Sequence, residues 1–134
     1  MKSIEHIGIA VENLDKSIDL YSKLLNAKCY KTEEVASERV ITAFFRSAEQ
    51  KIELLASTDP EGPISKFLIK KGPGLHHIAF AVEDIHAEIK RLKSQGFVFV
   101  SETPKRGADN KWVVFVHPKS SGGVLVELCQ EIKA

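Results

Sequence analysis

Cysteine is scarce in this chain of 134 residues: Cys29 and Cys129 show no paired spacing and no CxxC, so neither a disulfide framework nor a thiolate metal cage is written here. A reducing cytoplasm is the expected home. No apolar run approaches the roughly 20 residues that span a bilayer, and the N-terminus lacks the apolar core of a signal peptide. An excess of charge of one sign is missing too. Lys plus Arg number 19 against 18 for Asp plus Glu, a formal net charge of +1, which provides no general field for nucleic acid. An anionic ligand would have to be met locally. There is no GxxxxGK[ST], and the serines near Gly122 form no GxSxG elbow, so phosphate-loop and nucleophilic-triad chemistry are set aside. With 43% hydrophobic and 28% charged residues, the chain suits one soluble domain that can bury a real core.

The chain does contain a duplication. HIGIAVENLDKSI from His6 returns as HIAFAVEDIHAEI from His77, with identities at His6/His77, Ile7/Ile78, Ala10/Ala81, Val11/Val82, Glu12/Glu83 and Ile18/Ile89. Two copies in so short a chain argue for one supersecondary unit used twice, since a solenoid needs three or more. Each copy opens on a histidine in the same strand phase.

Around His6 the sequence alternates, with Ile7, Ile9 and Val11 on one face and His6, Gly8 and Ala10 on the other. Asn13 can cap a helix carrying Leu14, Ile18, Tyr21 and Leu25 at helical spacing. Strands are expected near 27–33, 39–46 and 50–56, giving βαβββ for residues 1–57. Residues 58–74, rich in Pro and Gly around an amphipathic stretch from Ile64 to Lys71, read as a linker with a short helix. Residues 75–134 repeat the plan: a strand at 75–82, a helix from the Asp84 cap through Ile85, Ile89 and Leu92 that Gly96 would stop, and strands near 97–101, 112–117 and 123–129. Loops 102–111 and 117–123 are plausible places for ligand contacts.

Extending the repeat to its far end, with three extra residues around the 117–123 turn, aligns Glu53 in QKIELLA with Glu127 in VLVELC. A carboxylate interrupts an apolar strand in the same way twice, and a buried charge is costly unless paired or bound to metal. Each of the four residues alone reads equally well as a hydrogen-bonded core histidine or an edge glutamate paired with lysine. Their matching phase favours a shared site. Two imidazoles and two carboxylates without thiolates suit a divalent ion such as Co, Ni, Zn, Mn or Fe. Gly8, Ala10, Ala79 and Ala81 leave space beside the histidines. His76 competes with His77, but neighbouring strand residues face opposite ways, and the repeat register selects His77. His86 reads as a surface residue, His117 as an ambiguous neighbour of Pro118, and Trp112 with the phenylalanines as core or interface.

The paired βαβββ units with His in the first strand and Glu in the last resemble the vicinal oxygen chelate superfamily, which includes the glyoxalase and bleomycin resistance proteins. GPGLHHIAFAVEDI (72–85), HPKSSGGVLVELCQ (117–130) and IELLAS (52–57), the last followed by Pro60 and ISKFLIKKG (64–72), resemble methylmalonyl-CoA epimerases within it. The similarity covers essentially the whole chain. It implies an α+β fold, a single vicinal oxygen chelate domain over 1–134 whose two pseudo-symmetric units form an eight-stranded open cup-shaped sheet. It also implies metal ligands at His6, Glu53, His77 and Glu127, though some epimerases have an amide at the position of Glu53.

The implied reaction is metal-dependent epimerisation of methylmalonyl-CoA at the thioester α-carbon through a metal-stabilised enolate. One proton leaves one face and another arrives on the opposite face, so two acid/base groups are needed. The resemblance makes Glu127 both ligand and proton carrier. A second glutamate proposed for some relatives would fall near 40–44, where this chain has no carboxylate, so Glu53 is the substitute, with a bound water as another possibility. Arg106, Lys119, Ser120 and Ser121 are candidate substrate contacts. Lys105, Lys111, Lys66, Lys70 and Lys71 could rim the site for a polyanionic coenzyme A thioester. The expected partners are that thioester and a second copy in a homodimer, with no nucleic acid and no membrane. Two alternatives remain at this point: a metal isomerase of the lactoylglutathione lyase type, and a non-enzymatic small-molecule-binding protein of the same fold.

Overall fold

The computed structural model describes residue 1 and residues 3–133. Its elements are β1 (Ser3–Ala10), α1 (Leu14–Leu25), β2 (Lys31–Val35), β3 (Val40–Ser47), β4 (Gln50–Ser57), α2 (Pro63–Lys71), β5 (Gly74–Ala81), α3 (Ile85–Ser94), β6 (Lys105–Gly107), β7 (Lys111–Val116) and β8 (Val126–Glu131). This is an α+β fold in which βαβββ occurs twice. Residues His6–His76 make one compact unit; Met1–Glu5 with His77–Ala134 make the other.

In the unit of residues 6–76 the strand order is β2-β3-β4-β1. The outer pairs are antiparallel, and β1 runs parallel to β4 with Gly8 opposite Glu53. α1 starts because the Asn13 side chain accepts the Lys16 N–H at 3.0 Å, and it ends on Asn26, whose φ of 50° is the left-handed cap conformation. Its stripe of Leu14, Ile18, Tyr21 and Leu25 packs on Val11, Ala43, Phe45, Leu54 and Ala56. On the opposite sheet face, α2 sets Ile64, Phe67 and Leu68 against Ala10, Val40 and Leu55. The stretch read as a linker therefore contributes to this unit's core.

The other unit repeats the order as β6-β7-β8-β5. β5 runs parallel to β8, with Ala79 opposite Glu127. Asp84 caps α3 by accepting the Ala87 N–H at 3.1 Å. The helix stops at Gly96, whose φ of 91° belongs to the left-handed region, while the Phe97 N–H closes back on the Leu92 carbonyl at 3.0 Å. Ile85, Ile89 and Leu92 pack on Val82, Phe99, Val114, Val116 and Leu128.

One strand differs from expectation. The segment near 97–101 forms a single bridge, Phe99 to Val116, because it turns Phe99 into the α3 core and leaves Val98 and Val100 each 60% exposed. The sixth strand is instead β6, within the loop expected at 102–111. There Gly107 lets β6 approach β7 closely: a Cβ at this position would come within 2.9 Å of Val113 Cγ1.

Candidate functional site

Partners across a strand pair share a sheet face, so the register fixes what surrounds each glutamate. Glu53 has Gly8 on one side and Phe44 on the other. Glu127 has Ala79 on one side and Phe115 on the other. In each unit the histidine lies two residues before the small residue and hence on the same face. His6 Nδ1 is 3.1 Å from Glu53 Oε2, and His77 Nε2 is 3.1 Å from Glu127 Oε1. All four residues are buried: His6 and Glu53 are 4% exposed, His77 8% and Glu127 6%. Within each unit, then, a buried carboxylate is matched to a buried imidazole, as the cost of burying an ion requires.

The same alternation separates the two adjacent histidines. His77 stacks edge-on to Phe115 with ring centroids 5.9 Å apart, whereas the half-buried His76 turns the other way onto Phe67 at 4.8 Å. His86 is exposed. His117 Nδ1 accepts the Lys119 N–H at 3.1 Å, a local turn contact.

Residues 5–115 match the glyoxalase/bleomycin resistance protein/dioxygenase superfamily. A mitochondrial methylmalonyl-CoA epimerase of Dictyostelium discoideum is 42% identical over 93% of this chain and 76% of its own length. The chain belongs to the methylmalonyl-CoA epimerase family. Another relative, the ethylmalonyl-CoA/methylmalonyl-CoA epimerase of Cereibacter sphaeroides, is 40% identical over 95% of this chain and 96% of its own. A single-residue variant of a Streptomyces coelicolor methylmalonyl-CoA epimerase, solved in complex with 2-nitronate-propionyl-CoA, superimposes with a TM-score of 0.93 at 29% identity. That match covers 100% of this chain and 97% of the other.

In this epimerase-family chain, the residues expected to hold substrate have local roles. The Ser120 hydroxyl accepts the Val98 N–H at 2.9 Å, and the Ser121 hydroxyl donates to the Val124 carbonyl. Arg106 is exposed and stacks over Trp112 at 5.4 Å. Lys119, Lys66, Lys70, Lys71 and Lys105 are exposed, while Lys111 reaches Glu131 at 3.5 Å.

Sequence reasoning missed three residues on the histidine faces. Phe44 and Phe115 occupy equivalent places opposite the glutamates. Lys51, only 3% exposed, stands two residues before Glu53 with its Nζ 3.9 Å from Glu53 Oε2. The signal for Lys51 was the strand period itself, which places residue 51 on the face of residue 53.

Within each unit the buried imidazole and carboxylate are donors of the N/O kind that divalent cations accept, each already withdrawn from water. Among the described residues, no helix is long and apolar enough to cross a membrane.

Proposed function

We propose that this protein epimerises methylmalonyl-CoA at the thioester α-carbon and depends on a divalent metal ion, one of Co, Ni, Zn, Mn or Fe. The observation that carries this reading is the buried His–Glu pair repeated in matching register in both units. His6, Glu53, His77 and Glu127 would be the ligands, and the two units would work as one domain. A divalent ion held there would act as a Lewis acid toward the thioester carbonyl, an effect worth several kcal/mol.

Glu127 is the first acid/base group. It takes the α-proton on one face and returns one to the same face in the reverse direction. Glu53, its mate in the other unit, serves the opposite face, so that one carboxylate accepts while the other delivers. Gly8 and Ala79, beside the two glutamates in the strand register, leave room for the branched acyl group. Arg106, Lys119, Ser120 and Ser121 are proposed contacts for the anionic parts of the coenzyme A thioester, the two serines through rotation out of their present hydrogen bonds. The proposed setting is the cytoplasm, and the proposed assembly a homodimer. Leu20 and Leu24 on α1, 60% and 70% exposed, supply apolar area for such a contact.

The test combines elemental analysis of protein purified without chelator with solvent deuterium uptake into methylmalonyl-CoA. Stoichiometric metal and uptake at the α-carbon are expected. Protein that carries metal but exchanges no α-proton would end the epimerase reading. A parallel assay with the glutathione hemithioacetal of methylglyoxal separates the lactoylglutathione lyase alternative.

A further inference from the structure

Lys51 is the one lysine or arginine buried among the described residues, and a buried ammonium persists only beside compensating groups. Its Nζ lies 3.9 Å from Glu53 Oε2, the oxygen that also lies 3.1 Å from His6 Nδ1. The ring of Phe44 backs it at 5.8 Å. Other cations nearby are engaged elsewhere. Lys31 sits over the same ring at 4.7 Å and pairs with Glu33 at 3.4 Å, and Arg46, opposite Lys51 on β3, is exposed over Tyr30 at 5.4 Å. In the other unit, the residue two before Glu127 is Leu125. The duplication has thus kept the glutamate and made the adjoining charge different.

We infer that Lys51 is a positioning residue that joins Glu53 in a net-neutral pair, so that the ligand set as a whole carries the charge of a single carboxylate. This rests on the metal reading above. Two unmatched carboxylates would cancel a divalent ion's charge and leave nothing to draw an anionic acyl thioester. With Lys51 in place the loaded site keeps one positive charge, and Glu53 is held toward the lysine as well as toward His6. The effect is that of fixed charges at close range, strongest where water is excluded.

Cobalt(II) titration at one fixed pH, with thermal unfolding alongside, tests the inference on wild type, Lys51→Met, Glu53→Gln and the double variant. Lys51→Met should bind Co(II) at least about tenfold more tightly, because a like charge beside the ion is gone, and Glu53→Gln should bind about tenfold more weakly. The double variant restores the net charge and should return to within about threefold of wild type. Should Lys51→Met fail to fold, the double variant, which removes both charges of the pair at once, is compared with Glu53→Gln, whose ammonium stripped of its carboxylate should repel Co(II) and give the weaker binding of the two. Wild-type affinity in Lys51→Met with a lowered melting temperature would make Lys51 a structural partner only, and would overturn the inference. So would a double variant weaker than Glu53→Gln. Wild-type Co(II) binding that is lost in His77→Ala shows that the metal reading stands whatever the lysine does; binding unchanged in His77→Ala would remove both.

Discussion

The two halves of this epimerase-family chain share a frame and differ in what they place around it. In both, a first strand runs parallel to a last strand, with a small residue facing a buried glutamate and a phenylalanine on the glutamate's other side. One glutamate has a buried lysine as neighbour and meets Nδ1 of its histidine; the other meets Nε2 of a histidine held edge-on by Phe115. Duplication fixes where a side chain stands. The residues two positions before the glutamates, Lys51 within β4 and Leu125 just ahead of β8, put a charge beside one glutamate and an apolar side chain before the other. On the proposed reading, this makes Glu127 the principal proton carrier and Glu53 the more heavily compensated ligand.

The largest expected effect breaks that asymmetry directly. Glu127→Gln should lower kcat by roughly 10³- to 10⁴-fold, the upper part of the range for an acid/base residue, whereas Glu53→Gln should lower it by about 10²-fold, the low end of that range. Steady-state rates and deuterium uptake from each epimer measure both. Equal losses would mean that the halves are functionally equivalent, and normal exchange on both faces in Glu53→Gln would remove Glu53 from proton transfer.

Next in size is the stabilisation by metal. A divalent ion at a hundred times its Kd should raise stability by about 2.7 kcal/mol, seen as a higher melting temperature that chelator reverses. His6→Ala and His77→Ala should both abolish this shift. A shift lost in one variant and kept in the other would show that one unit alone holds the ion.

The helix caps sharpen the comparison from the structural side. Asn13→Ala and Asp84→Ala each remove one side-chain acceptor from a helix N-terminus and should each cost about 1 kcal/mol in denaturant unfolding. A clearly larger loss at one cap would mark its unit as the less cooperative.

The smallest effect belongs to α3 alone. Glu88 accepts two hydrogen bonds from Arg91, at 3.1 and 3.0 Å, and these hold its carboxyl below the usual 4.5. A carboxylate with a lowered folded-state pKa contributes stability above the unfolded value, and that contribution fades as pH falls through the folded value. Glu88→Gln should thus be slightly destabilising at neutral pH and neutral once acid has protonated the carboxylate in both states. In α1 the repeat puts Ser17 at this place, so Ser17→Gln should show no such pH dependence.

Much of this arrangement was legible in residue order. The caps at Asn13 and Asp84, the stop at Gly96 and the turning of His76 and His77 to opposite faces all follow from local rules that tertiary packing left intact. The pairing of His6 with Glu53 followed from phase and repetition together. Lys51 escaped because lysine is so rarely buried that its position in the strand period was outweighed. The strand near 97–101 reduced to one bridge because its apolar alternation serves the α3 core on one side only. The hydroxyls of Ser120 and Ser121 engage the Val98 N–H and the Val124 carbonyl, partners set by the folding of the loop onto the 97–101 segment and by its own turn, which residue order alone does not reveal.

Parallel pairing of first and last strands carries a consequence for assembly. His6 and Glu53 come from opposite ends of their unit, as do His77 and Glu127, so neither couple can close before the helix and hairpin between them have formed. On the proposed metal reading, a chain half made on the ribosome would offer a single couple, too few donors to grip an ion firmly, so loading would wait for the finished polypeptide and spare a nascent one from trapping whichever metal it meets first.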